Sequence, residues 1–272
     1  MPRLSMNEMT TYRWSFEEDV AHYAAAGFTA IGVWRQKLSD YGEEKGIELL
    51  AECGLDVSNL LWAGGFTGSD GRSLRESIND AADAIRLAGE LDCSTLVVYS
   101  GARAGHTLSH ARRIVRDALV SLLPLAEEHG VDLALEPMHA ECGAEWTFLY
   151  ALDDTLAMIS EIGHPQLKLT LDTYHLGWEP DFLSRLDLLA PRVAVVHLGD
   201  GHPPRNQEQN RCRLGEGEVP LKDIVARLSE LGYDGYYDVE LLGEAVESAD
   251  YHDLLGQSKQ AFADLLGVAS KR

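Results

Sequence analysis

Positive charge is scarce in this chain of 272 residues. The 23 Lys and Arg stand against 44 Asp and Glu, a formal net charge of −21 with a sequence pI near 4.7. A protein that grips nucleic acid gains affinity by releasing counterions from phosphates, which needs a basic face, and an acidic field repels both nucleic acid and an anionic membrane surface. Neither partner is expected. Long apolar runs are also missing: nothing approaches the roughly 18 apolar residues of a membrane-spanning helix. The opening segment MPRLSMNEMTTYRW lacks the apolar core of a secretory signal, so a cytoplasmic location is expected. The four cysteines, Cys53, Cys93, Cys142 and Cys212, include no C-x-x-C pair. Reduced thiols fit that spacing; a disulfide framework or a thiolate zinc site does not.

Several catalytic signatures are absent as well. There is no G-x-G-x-x-G after a strand pattern and no G-x-x-x-x-G-K-[ST], which removes the usual support for an open nucleotide-binding sheet. No G-x-S-x-G elbow marks a serine hydrolase. A Schiff-base aldolase barrel needs a lysine at the C-terminal end of a strand. Of six lysines only Lys168 falls in a strand pattern, at its start.

What is present is a repeated alternation of short, β-branched apolar runs with longer segments of helical period, the mark of βα units around a parallel sheet. Eight strands are predicted: Leu4–Met9, Ala30–Trp34, Leu55–Trp62, Thr95–Tyr99, Val131–Glu136, Leu167–Asp172, Val193–Leu198 and Tyr236–Leu241. Helical patterns follow, among them Ser15–Ala26, Leu74–Leu91, Ser109–His129, Asp181–Leu189, Leu221–Leu231 and Tyr251–Leu266. Ser15 with Glu18 has capping-box spacing, and Gly27 sits where a helix end favours a left-handed residue. Eight such units match the size of a closed α/β barrel, so residues 1–272 are expected to form a single (β/α)₈ TIM-barrel domain. The one long irregular stretch, Gly199–Pro220, would overhang the catalytic face as a lid or a subunit contact.

Barrel active sites form at the C-terminal ends of the strands. There, strands five to eight present Glu136 in LALEP, Asp172 in LTLDTYH, His197 and Asp200 in VVHLGD, and Glu240 in YYDVELLGE. Carboxylates brought together oppose each other's ionisation, and a divalent cation resolves the conflict. Oxygen-rich ligation with one imidazole and no thiolate favours Mn²⁺ or Mg²⁺ first, with Co²⁺ and Zn²⁺ also accommodated. Taken singly, each residue also reads as a cap or a surface charge.

The motifs LALEPMH, LTLDTYH, VVHLGD, GEGEVPL and GYDGYYDVEL, with weaker agreement in VSNLLWAGGF, resemble the xylose-isomerase-like barrels, a family of sugar isomerases and epimerases, over essentially the whole chain. The resemblance implies that Glu136, Asp172, His197 and Glu240 are the metal ligands and that His175 binds substrate. It further implies that Glu136 and Glu240 double as acid and base for proton transfer next to a carbonyl, the metal stabilising the enediolate. The substrate implied is a small keto sugar or polyol rather than a sugar phosphate, since few basic residues lie at the strand ends.

The pattern departs from the ketose 3-epimerases at two places. The glutamate they carry six residues after the first ligand is Cys142 here, and the arginine six after the metal histidine is Pro203; Arg205, Arg211 or Arg213 are the candidates to replace it, with Arg213 assigned to substrate. Glu136-Pro137-Met138-His139 also resembles the catalytic subunits of C-glycoside deglycosidases, which makes His139 a candidate acid/base and a lyase of 3-oxo C-glycosides, with a small partner subunit, the second reading. An inosose-type dehydratase uses the same steps. A non-catalytic sugar-binding barrel is the alternative outside enzymes, whereas an abasic-site endonuclease is disfavoured by the charge and by the single histidine in the set. Homo-oligomerisation is expected for the first reading. Trp34, Trp62, Trp146 and Trp178 fall near strand ends; Trp34, Trp62 and Trp178 are assigned to substrate stacking, with packing of rim loops as the alternative. His106 and His202 lie in loops on the same face, and Cys142 reads as an inert filler.

Overall fold

The computed structural model describes residues 2–143, 145–204 and 209–267. The strands are β1 (Arg3–Asn7), β2 (Ala30–Trp34), β3 (Asp56–Gly64), β4 (Thr95–Tyr99), β5 (Asp132–Leu135), β6 (Leu167–Asp172), β7 (Val193–Leu198), the two-residue β8 (Asp200–Gly201) and β9 (Arg211–Cys212), and β10 (Tyr236–Val239). All but β8 and β9 close into a parallel barrel in the order β1-β10-β7-β6-β5-β4-β3-β2. The expected (β/α)₈ barrel is therefore observed. Strand boundaries move by one or two residues; β5 and β10 stop just before Glu136 and Glu240, so these two residues stand where the chain leaves the sheet.

The helices start and stop where local chemistry directs them. Ser15 and Glu18 form a reciprocal capping box ahead of Phe16–Ala25, and Ser73 and Glu76 form a second ahead of Leu74–Glu90. Gly27 takes φ +76°, the left-handed turn that ends the first helix. Two helices, Arg35–Tyr41 and Glu43–Cys53, fill the connection after β2. The helices lay their apolar faces on the sheet; Val20, Ile85, Leu119, Leu186, Ile224 and Leu254 are buried in one shared core. Among the described residues no helix is long and apolar enough to cross a membrane.

The interior of the barrel is unusually polar beneath its C-terminal mouth. Asp238 accepts hydrogen bonds from Asn7 Nδ2 at 2.7 Å and Asn59 Nδ2 at 2.8 Å, all three buried. Gly32 makes room for this layer: a Cβ there would lie 2.3 Å from Asp238 Oδ2. Burial pushes the Asp238 carboxyl above its ordinary range, with His197 and these amides opposing.

The described residues of segment 199–220 hold regular structure. β8 and β9 pair antiparallel within it, and Asp200 accepts backbone N–H bonds from Gly201, Gly215, Gly217 and Val219. Asp200 is thus turned into its own loop instead of joining the other strand-end carboxylates. Its carboxylate is used up in holding the chain that carries Arg211 across the mouth.

Candidate active site

Glu136, Asp172, His197 and Glu240 converge at the barrel mouth, each buried and each offering one ligand atom, with those atoms all within 4.8 Å of one another. The sheet register produces this. Asp172 pairs directly with His197, and His197 pairs with Asp238, two residues before Glu240. Backbone N–H groups of Glu136 and Glu240 bond to Val98 and Leu198, extending each strand by one residue and aiming both side chains inward. Glu136 Oε1 lies 3.4 Å and Glu240 Oε2 3.3 Å from His197 Nδ1.

The chemistry of the donor set fits a divalent cation. His197 Nε2 faces Asn59 Oδ1 at 3.2 Å, an acceptor that places the ring proton on Nε2. Nδ1 is then a lone pair, buried and without a hydrogen-bond partner, pointing among three carboxylates. Those carboxylates demand positive charge. Against its burial, Glu240 and Glu136 raise His197 well above the ordinary imidazole range, so either a proton or a cation held between the groups satisfies them.

Arg211 joins this cluster, and the sequence spacing did not single it out. Its guanidinium is buried, 3.0 Å from Asp172 Oδ2 through Nη2 and 3.0 Å from Glu240 Oε2 through Nη1, and Nη1 also donates to the Glu240 carbonyl at 2.8 Å. Burial pushes Glu240 up, but Arg211 and His197 override it and hold the carboxyl at about 2, whereas burial leaves Glu136 raised despite His197. Of the three loop arginines, Arg211 takes the position over the cluster. Arg213 lies past β9 and is not among the residues lining the cavity; Arg205 lies outside the described residues. Only the backbone path of β8 and β9 distinguishes Arg211 from Arg213, and no spacing rule encodes it.

His175 follows from the local turn. Asp172 caps the short helix Thr173–Leu176, its Oδ1 accepting the His175 N–H at 3.0 Å while Oδ2 faces Arg211. The His175 ring then meets His139 with Nδ1 atoms 2.8 Å apart. His175 lines the cavity; His139 is buried behind it.

A cavity of about 310 Å³ opens onto the cluster, with Glu136, His175, Arg211 and Glu240 at its floor and Trp34, Trp62 and Trp146 among its walls. Trp178 does not contribute. It follows the short helix Thr173–Leu176 and packs against the core. His106 faces the Thr67 carbonyl and His202 faces Glu218; neither lines this cavity. The Cys142 side chain lies outside what is described.

A closed parallel barrel with a carboxylate–imidazole cluster on its C-terminal rim defines the class, and sequence comparison defines the family. Residues 20–263 match the family described as Xylose isomerase-like TIM barrel, and the chain belongs to it. It is 28% identical to a ketose 3-epimerase of Arthrobacter globiformis over 70% of this chain and 62% of that protein. It is 27% identical to a putative hydroxypyruvate isomerase of Streptomyces coelicolor over 82% of this chain and 84% of that one. The chain thus spans less than two thirds of the epimerase's length. The crystal structure of protein SMc04130 from Sinorhizobium meliloti superposes with a TM-score of 0.89 at 26% identity, covering 96% of this chain and 98% of that one.

Proposed function

We propose that this chain is a divalent-metal-dependent sugar isomerase or epimerase that moves a proton on the carbon next to a carbonyl. The observation that carries this reading is the convergence of Glu136 and Glu240, from β5 and β10, on His197 Nδ1 at 3.4 and 3.3 Å. In the barrel order β10-β7-β6-β5 these two strands flank the pair that bears His197 and Asp172. Two carboxylates so placed suit a shuttle in which one removes the proton and the other returns one, so that no atom is gained or lost.

Glu136, Asp172, His197 and Glu240 would hold the cation, Mn²⁺ or Mg²⁺ before Co²⁺ or Zn²⁺ by donor type. Bound there, a divalent ion supplies the positive charge that makes proton loss next to a carbonyl accessible near neutral pH. Arg211 orients Asp172 and Glu240 and presents N–H groups to the cavity, and His175 lines the cavity beside them. The resemblance to proteins named as a ketose 3-epimerase and a hydroxypyruvate isomerase supports proton return over carbon–carbon cleavage.

The test is incubation in D₂O with Mn²⁺ and a panel of ketoses, inososes and 3-oxo glycosides, followed by mass spectrometry. Deuterium uptake without net loss of sugar is expected. A panel that takes up no deuterium overturns the reading, and release of a phenol from a 3-oxo glycoside replaces it with the lyase.

A further inference from the structure

Five aromatic rings line the cavity: Tyr12, Trp34, Trp62, Tyr99 and Trp146. They form two groups, because Tyr12 stacks on Trp34 with centroids 5.9 Å apart, while Trp146 meets Trp62 and Tyr99. The Tyr12–Trp34 pair stands on two short pieces of chain, the segment after β1 and the start of the helix Arg35–Tyr41, whose N-cap is Trp34. Both pieces are fastened from behind by Glu8, Asp19 and Lys37, which are 0%, 0% and 8% exposed.

The hydrogen bonds of this group decide its charge. Lys37 Nζ donates to the Glu8 carbonyl at 3.1 Å, to the Thr11 carbonyl at 3.0 Å and to Asp19 Oδ2 at 2.6 Å, which uses all its N–H groups. The Thr11 hydroxyl donates to Asp19 Oδ1 at 2.6 Å, and the Trp34 backbone N–H donates to Glu8 Oε2 at 2.7 Å. Glu8 Oε1 is left buried and without a hydrogen-bond partner. Lys37 balances one carboxylate, and Asp19 occupies that place. An ionised Glu8 would add a second negative charge, with one oxygen lacking any donor, where water does not reach. A proton on Glu8 removes that conflict. Burial first, and the neighbouring Asp19 second, push its carboxyl well above the ordinary range in the same sense. The titratable groups facing it are Asp19 and Tyr23 from the helix Phe16–Ala25 and Lys37 from the helix Arg35–Tyr41, and burial keeps the Tyr23 phenol neutral.

We propose that Glu8 is the positioning residue for the Tyr12–Trp34 side of the cavity, and that one proton retained on its carboxyl keeps that side fastened to the barrel. With the proton in place, Glu8 holds the Trp34 N–H while Lys37 bridges the carbonyls at both ends of segment 8–11, so loop and helix start are tied together. When the proton leaves at alkaline pH, the charge left behind has no partner, and it is relieved by water entering where the cover is thinnest, beside the half-buried Met9 and the exposed Tyr12. The ring pair then loosens and the entrance widens on that side alone. The device belongs to the wall and holds whatever reaction the floor performs.

The test is amide hydrogen exchange read by mass spectrometry from pH 6 to pH 9.5, with rates corrected for the intrinsic pH dependence of an unfolded amide. Protection of the Trp34 amide and of segment 9–12 is expected to fall at least about tenfold across that range, while β6 keeps its protection. Glu8→Gln retains an acceptor for the Trp34 N–H and cannot ionise, so its protection should stay constant to within about twofold. Glu8→Ala lacks the acceptor and should leave the Trp34 amide poorly protected at every pH, with thermal melts confirming that each variant folds. Constant protection in the unaltered protein overturns the inference without need of a variant. So does a loss that persists in Glu8→Gln, which assigns the titration to another group, or one shared by β6, which assigns it to unfolding of the whole barrel.

Discussion

Asn59 Oδ1 stands 3.2 Å from His197 Nε2, and the same amide donates through Nδ2 to Asp238 at 2.8 Å. The imidazole is thereby held in one tautomer and one orientation by a side chain from the far side of the barrel. Groups in this position typically change metal affinity by about 10–100-fold. Asn59→Ala is expected to weaken Mn²⁺ binding by that amount in a calorimetric titration. Unchanged affinity would show that the ring is oriented without the amide.

Glu136→Gln and Glu240→Gln should each lower deuterium exchange by at least about a thousandfold, since each removes both a ligand charge and a proton carrier. The fold should persist, because the amide keeps the shape of the carboxyl group. Activity retained in both variants would refute the assigned roles; circular dichroism establishes that the barrel is intact.

Arg211 neutralises two buried carboxylates at 3.0 Å each. Without metal, Arg211→Met should cost about 3 kcal/mol of stability, the usual scale for leaving buried charge uncompensated. Adding Mn²⁺ should then raise the melting temperature of the variant more than that of the unaltered protein. Equal shifts would mean that Arg211 and the cation do not share the task of balancing this charge.

A second buried ionic group lies beside the first strand. Lys37 Nζ donates to Asp19 at 2.6 Å and to the carbonyls of Glu8 and Thr11. Burial raises Asp19 to about 6, more strongly than Lys37 and its hydrogen bonds lower it, and burial with the neighbouring Asp19 raises Glu8 as well. For an acid whose pKa is higher in the folded state, the folded chain holds the proton more tightly. The contribution to stability is therefore full below the unfolded value, near 4, and is lost as pH rises through about 6. Urea unfolding should show the stability difference between the unaltered protein and Asp19→Asn falling by on the order of 2 kcal/mol between pH 4 and 8. A difference independent of pH would contradict the coupling.

The barrel was legible because its signals are local and repeated: β-branched runs, helical period, and capping pairs such as Ser15 with Glu18. The four clustered residues were legible for a related reason, since strand ends in a closed barrel must share one mouth. Arg211 and Asn59 were harder. Arg211 is one of several loop arginines, and its place depends on the pairing of β8 with β9 and on Asp200 drawing in four backbone N–H groups. Asn59 sits mid-strand and meets His197 across the interior, a contact of 138 residues in sequence separation that no periodicity reveals. Asp238 had a usable signal, because alternation along a strand puts it on the same inward face as Glu240. Trp178 follows the short helix Thr173–Leu176, packs against the core and is not among the residues lining the cavity, so nearness to a strand end does not by itself decide which side chains meet the mouth.

The clustered carboxylates and imidazole all come from β5, β6, β7 and β10, whereas four of the five aromatic rings come from β1 to β4 or the segments after them. This separation makes the two halves of the ring of strands independently mutable. Diversifying Tyr12, Trp34, Trp62 and Tyr99 would alter what the cavity admits without touching the clustered carboxylates and imidazole, so a descendant could acquire a new cavity lining while inheriting that cluster unchanged.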